Sequence, residues 1–242
     1  LTMYGIVIAF QDYVPGRPIL SFDGSIEWVG LEHFIHFIEG NYFGRLIRNT
    51  IVLNVLNLIF GFWTPIVFAL LLNELKCLKY KKTIQTVSYM PYFISTVIVA
   101  GMAISVLEKE GLINQVLALL GMEPISFLYI PNAFPAIYTA INVWKSFGFS
   151  SILYLSTLSS ISPELYESAD IDGAGRMQKM LHISLPGMKN IIAISLIMSM
   201  GGILSANSEL ILLLYNPSIY STADVIGTYT YRLGILGGQF SY

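Results

Sequence analysis

The sequence predicts an all-α, multi-span membrane protein, and three observations predict it. Hydrophobic residues fill 55% of the 242 positions and charged residues only 12%, against about 25% charged in a soluble domain, so the polar side chains cannot cover a water-facing surface. The mean hydropathy is +0.66. The apolar residues also gather into runs of roughly 20, the length an α-helix needs to cross a bilayer with its backbone polar groups satisfied. The net charge of −2 is too small to imply a nucleic-acid partner. The single cysteine, Cys77, leaves no disulfide framework and no cysteine-based metal site.

Taken in order, "LTMYGIVIAFQDY" lacks a basic flank and is too short to span, so it reads as the end of a helix that begins upstream. A first full span is expected at 51–72, uncharged and with Pro65 as its kink point. A second is expected at 83–107, with Pro91 a third of the way along. The third, 133–161, is interrupted by Lys145, and the fourth, 190–208, contains Gly201-Gly202 and closes near Glu209. "YRLGILGGQFSY" stops without a cap or tail. The expected architecture is therefore about four complete spans plus a partial first one, the last span missing, and six in the full protein. Residues 1–242 would form a single transmembrane domain, itself a fragment.

Orientation follows from lysine and arginine, which accumulate in short cytoplasmic loops. Lys76, Lys79, Lys81 and Lys82 fill one loop, Arg176, Lys179 and Lys189 another, whereas 108–123 holds only Lys109. If the spans alternate, both basic loops lie on the cytoplasmic side and 11–49 and 209–242 lie outside. Leu31, Phe34, Ile35 and Ile38 share one helical face, as do Leu112, Ile113, Val116, Leu117 and Leu120, so each is expected in a short interfacial helix.

No phosphate-cradling GxxxxGK[ST], GxSxG, HExxH or CxxC sequence occurs. His33 and His36 have no third donor nearby, so no catalytic residue, no metal site and no cofactor are expected, and energy must come from a partner.

The charged segment "SPELYESADIDGAGRMQKMLHISLPGM" stands out in so apolar a chain. Ser162-Pro163-Glu164 is a strong helix start, and Asp172-Gly173-Ala174-Gly175 permits a corner. A second helix carrying Met177, Met180, Leu181 and His182 should stop at Leu185-Pro186. Leu165, Ala169 and Tyr166 share one face of the first helix, while Glu164, Glu167 and Asp170 project outward. On these grounds alone the segment is equally a docking surface or a well-capped, solvated loop.

Its pattern is similar to the EAA loop of type I ABC importer permeases. Glu167, Ala169, Asp172, Gly173, Ala174, Ile183, Leu185 and Pro186 match that motif; the departures are Ser168 for the first alanine and the lack of a proline soon after Met188. "MYGIVIAFQDY", "WVGLEHF", "RNTI", "ALLLNELK", "YMPYFIS", "GLINQVL", "IDGAGR" and "ILLLYNP" extend the likeness to permeases for polysaccharides and multiple sugars. The resemblance implies a transport subunit in the bacterial cell membrane, without catalysis of its own. It implies pairing with a second permease, a cytoplasmic ABC ATPase dimer that binds the ATP, and an extracytoplasmic solute-binding protein that delivers a sugar. Residues 162–189 would be the coupling loop, with Glu164, Glu167, Ala169, Asp170, Asp172, Gly173, Ala174, Leu185 and Pro186 transmitting ATPase movement.

Within the spans, Asn142, Lys145, Asn207 and Glu209 are candidates for a sugar path, with Glu209 a conceivable partner of Lys145; helix packing or contact with the second permease is the equal alternative. Asn54 and Asn57 are expected to bond between helices. Rival functions are import of a non-sugar solute, secondary transport, for which only Lys145 offers a coupling residue, and a non-transporting scaffold.

Overall fold

The computed structural model describes residues 4–16, 18–20, 26–203 and 206–240. The extreme ends of the chain, and residues 204–205 of the expected fourth span, lie outside the described residues. Tyr4–Phe10 forms a 3-10 stretch, and one antiparallel bridge joins Gln11 to Trp28; no strand occurs among the described residues.

α1 (Glu32–Glu39) leaves Phe34, Ile35 and Ile38 exposed, the uncovered apolar face of a helix suited to an interface. α2 (Phe43–Asn73) is the one helix among the described residues that is long and apolar enough to cross a membrane unaided; its 31 residues reach ~46 Å. A wide, π-type turn at Asn57–Gly61 precedes Pro65. Proline cannot donate to the residue four back, here Gly61, and the wide turn ends at that residue, so the helix widens there.

The expected second span is broken. α3 (Leu78–Tyr89) runs into a 3-10 turn at Met90–Phe93, and α4 (Thr96–Leu107) starts afresh, with Ser95 accepting from the Ile98 amide at 3.3 Å. With α5 (Leu112–Leu119), the two halves Leu78–Phe93 and Thr96–Leu119 meet at 102°. Pro91 and a serine cap four residues later stop one helix and start another.

α6 (Phe134–Ser159) has the length of a span, ~39 Å, but not the composition, because Asn142, Lys145, Ser146 and Ser150 lie along it. α7 (Pro163–Ile171) leads to α8 (Arg176–Gly187) and α9 (Lys189–Gly201), which meet at 61°. By length and composition, up to three segments qualify as spans if each bent pair counts as one, and α6, of span length, is more polar than the third span expected from the sequence. Pro186 does not stop α8 as anticipated; a second wide turn, Met180–Ser184, lets the helix pass through it. α10 (Ser208–Leu214), α11 (Tyr220–Ala223) and α12 (Ile226–Thr230) follow, α12 continuing into a wide helix at Tyr231–Leu236.

Two buried clusters define the ends of the molecule. One joins Leu53 of α2 to Phe134 and Tyr138 of α6 and to Leu210, Ile211 and Val225. The other joins Phe62, Ile66 and Ala69 of α2 to Tyr154 and Leu158 of α6 and to Met188. α2 and α6 therefore run parallel. Their carboxyl ends, and with them the lysine-rich loop and the 160–188 segment, lie at one end, and α10 to α12 lie at the other.

Candidate functional site

Between the two clusters lies a cavity of about 1130 Å³. Asn142, Lys145 and Asn207 line it together, and Asn54 and Asn57 join them. Glu209 does not. Asn207 caps α10, its Oδ1 accepting from the Leu210 amide at 3.3 Å, which places Glu209 exposed in the first turn of a new helix. The conceived Lys145–Glu209 pair is absent; Lys145 Nζ instead donates to Thr96 Oγ1 at 2.9 Å. The fresh start of α4 at Thr96 supplies that acceptor, and the local sequence around Lys145 carries no sign of it.

Neutral groups complete the wall. The Asn207 backbone amide donates to the Tyr138 hydroxyl at 3.0 Å, and Asn207 Nδ2 to Asn142 Oδ1 at 3.4 Å. Asn142 Nδ2 donates to the Tyr138 carbonyl one turn back. Asn54 Nδ2 donates to the Thr50 carbonyl of its own helix at 2.8 Å, so it does not make the interhelical bond expected of it. Tyr92 and Phe149, both lining the cavity, stack with centroids 4.0 Å apart and planes 5° from parallel. Beside them Gly148 lets α6 approach α3 so closely that a Cβ there would overlap the Ser88 carbonyl.

The charged segment forms a corner beside the second cluster, at the end of the molecule away from α10 to α12. Pro163 opens α7 and Glu164 sits in its first turn, but Ser162 makes no side-chain capping bond. Gly173 adopts φ +75, the left-handed conformation that residues with a Cβ resist. The Ala174 amide donates to the Ala169 carbonyl at 2.8 Å and the Gly173 amide to the Asp170 carbonyl at 3.1 Å, the paired bonds of a Schellman cap. Two side-chain contacts fix the angle to α8. Tyr166 Oη and Ser184 Oγ are 2.9 Å apart, and Lys179 Nζ donates to Asp170 Oδ1 at 2.6 Å. Asp170 is thus engaged within the corner, whereas Glu164, Glu167 and Asp172 stand exposed and outside any ion pair among the described residues. Leu185 and Pro186 lie in the helical turn beyond the second wide turn.

At the other end of the molecule is a cluster the sequence did not announce. Asp224, fully buried, accepts from Arg45 Nη2 at 3.1 Å, Arg232 Nη2 at 2.9 Å and Thr228 Oγ1 at 2.8 Å. Its backbone carbonyl accepts from Asn49 Nδ2 at 2.9 Å. Arg232 also lies over the Tyr220 ring. Its hydrogen bonds to Asp224 hold the guanidinium above the ordinary arginine range. Arg45 and Asp224 are 179 residues apart, so no local pattern joins them. No group of three metal-ligating side chains comes together among the described residues; His33 Nε2 lies 3.0 Å from the Gln11 carbonyl, and His36 lies 3.6 Å from Glu32.

Residues 66–237 match the family model described as binding-protein-dependent transport system inner membrane component. The polygalacturonan/rhamnogalacturonan transport system permease protein YteP of Bacillus subtilis is 43% identical over 99% of this chain and 74% of its own. The protein LplB of the same organism is 40% identical over all of this chain and 75% of its own. A chain from the crystal structure of a bacterial ABC transporter involved in import of the acidic polysaccharide alginate superposes with a TM-score of 0.89. It is 42% identical, over 99% of this chain and 79% of that one.

Proposed function

The chain belongs to the binding-protein-dependent transport system inner membrane components, and from that premise we propose that it is a permease subunit of an ABC importer for oligo- or polysaccharide-derived sugars. It pairs with a second permease around a translocation path, and 162–189 is the cytoplasmic loop that engages a separate ATPase dimer. The observation that carries this reading is the corner at Gly173. A capped helix bearing unpaired acids is held at a set angle to α8 by Tyr166–Ser184 and Asp170–Lys179, so a push on Glu164 or Glu167 is passed to α8 and onward to α9 as a rigid displacement. The sugar assignment draws on the relatives named for polysaccharides, on the neutral amide wall that suits hydroxyl groups, and on the Tyr92–Phe149 pair, whose rings suit the C–H faces of pyranoses. The alginate transporter has also been solved with a saccharide-bound periplasmic protein, which supports an extracytoplasmic solute-binding partner here.

The test is uptake of labelled oligosaccharide into vesicles holding the complete transporter and its binding protein, with ATP inside. Uptake should require ATP, and Glu167→Lys should abolish it while the subunit remains in the membrane. ATP-independent uptake, or unchanged uptake by the variant, would refute the reading.

A further inference from the structure

We infer that Lys145 selects for charge, and that the solute passing through the cavity is an anionic oligosaccharide bearing uronate carboxylates. The inference rests on the saccharide-importer reading and adds to it the class of sugar.

Lys145 is the one charged residue among those described as lining the cavity. No carboxylate among the described residues lies within ion-pair distance of it. Its ammonium carries three donors, and one of them is used, on the neutral hydroxyl of Thr96. That hydroxyl orients the charge without cancelling it. Thr96 is moreover the first residue of α4, and the amino end of a helix carries partial positive charge of its own. The other polar groups of the wall are amides and hydroxyls, chiefly Asn54, Asn57, Asn142 and Asn207, which can bond sugar hydroxyls but leave the positive field intact.

An ammonium at such a depth is costly and persists where it meets an anion or lines an aqueous path. Were its role only to fill space between α6 and α4, a methionine of similar length would do so without desolvating a charge. A neutral sugar would leave the field unbalanced, whereas a carboxylate on the ring supplies the counter-charge through a charge-assisted hydrogen bond. Uronates carry such a group at neutral pH on every residue of a polymer, with the sugar's ring hydroxyls beside it. The cavity, at about 1130 Å³, also exceeds the ~300–1,000 Å³ usual for a single small ligand, which suits an oligomer.

The experiment measures equilibrium binding of trigalacturonate, and of its carboxyl-reduced counterpart of the same linkage, to the complete purified transporter. Wild type, Lys145→Met and Lys145→Arg are compared, with ATP hydrolysis confirming assembly. Wild type should prefer the acid by about tenfold, the scale of one charge-assisted hydrogen bond. Lys145→Met should bring the ratio close to one by weakening the acid alone, and Lys145→Arg should keep the preference. Equal binding of both sugars by wild type would overturn the inference and leave the sugar importer standing. So would a Lys145→Met variant that weakens both equally, since the lysine would then serve packing or pair with an acid of the partner permease. If neither trisaccharide binds, the saccharide reading falls and this inference with it.

Discussion

At one end of the molecule Asp224 is buried between two arginines and a threonine, while at the other Glu164, Glu167 and Asp172 stand exposed, with no cation paired to them among the described residues. The charges of the first set are paired within the chain and tie α2 to α12 and the segments on either side of it, so its electrostatics are spent on structure. The second is held in place by backbone and by contacts behind it, which leaves its charge free for something outside. Burial and completeness of pairing, more than the number of charges, distinguish a strut from a surface for docking.

Breaking the buried set should have the largest effect. Asp224→Asn keeps the shape and removes the charge, leaving Arg45 and Arg232 uncompensated; loss of one member of a buried pair costs about 3–5 kcal/mol. Thermal unfolding of the purified transporter should show a markedly lowered midpoint, and an unchanged one would mean that the cluster adds nothing to the tie. Gly173→Ala comes next. Open space surrounds the position where its Cβ would fall, so the cost is conformational, about 1–2 kcal/mol for a left-handed residue. The expected result is weakened coupling: ATP hydrolysis persists while uptake per ATP falls, and normal coupling would show that the corner need not be rigid. Smallest is Asp170→Asn. The carboxylate is 62% exposed, and such surface pairs are worth about 0–1 kcal/mol. Stability should barely move, and a large loss would place Asp170 among the structural charges, blurring the contrast.

The corner could be foreseen because its determinants are local. Pro163, Glu164 and Gly173 sit within eleven positions and each acts on the backbone beside it. The Asp224 cluster could not, since its partners come from α2 and from eight residues further on, and a lone aspartate among tyrosines and threonines gives no periodic signal. The breaks were half legible. Pro91 and Pro186 invite the same reading, yet the chain turns by 102° after Pro91, where Ser95 offers a cap, and by the smaller 61° just beyond Pro186, where a wide turn absorbs the lost bond. α6 was legible as a helix but not as the wall of a cavity, because a polar stripe in a span looks the same whether it faces water or another helix. For Lys145, sequence supplied the residue and only the fold supplied Thr96.

The wide turns carry a consequence of their own. An α-helix advances about 100° per residue, so the extra residue taken up at Asn57–Gly61 puts Phe62 and all that follows one step out of phase with Asn54 and all that precedes it. Only with that step does Leu53 meet one buried cluster while Ile66 and Ala69 meet the other. Deleting any one residue of this turn would swing the second half of α2 away from α6, although no contact in the deleted residue's own side chain need be important. At such places the protein is sensitive to how many residues it has, before it is sensitive to which ones.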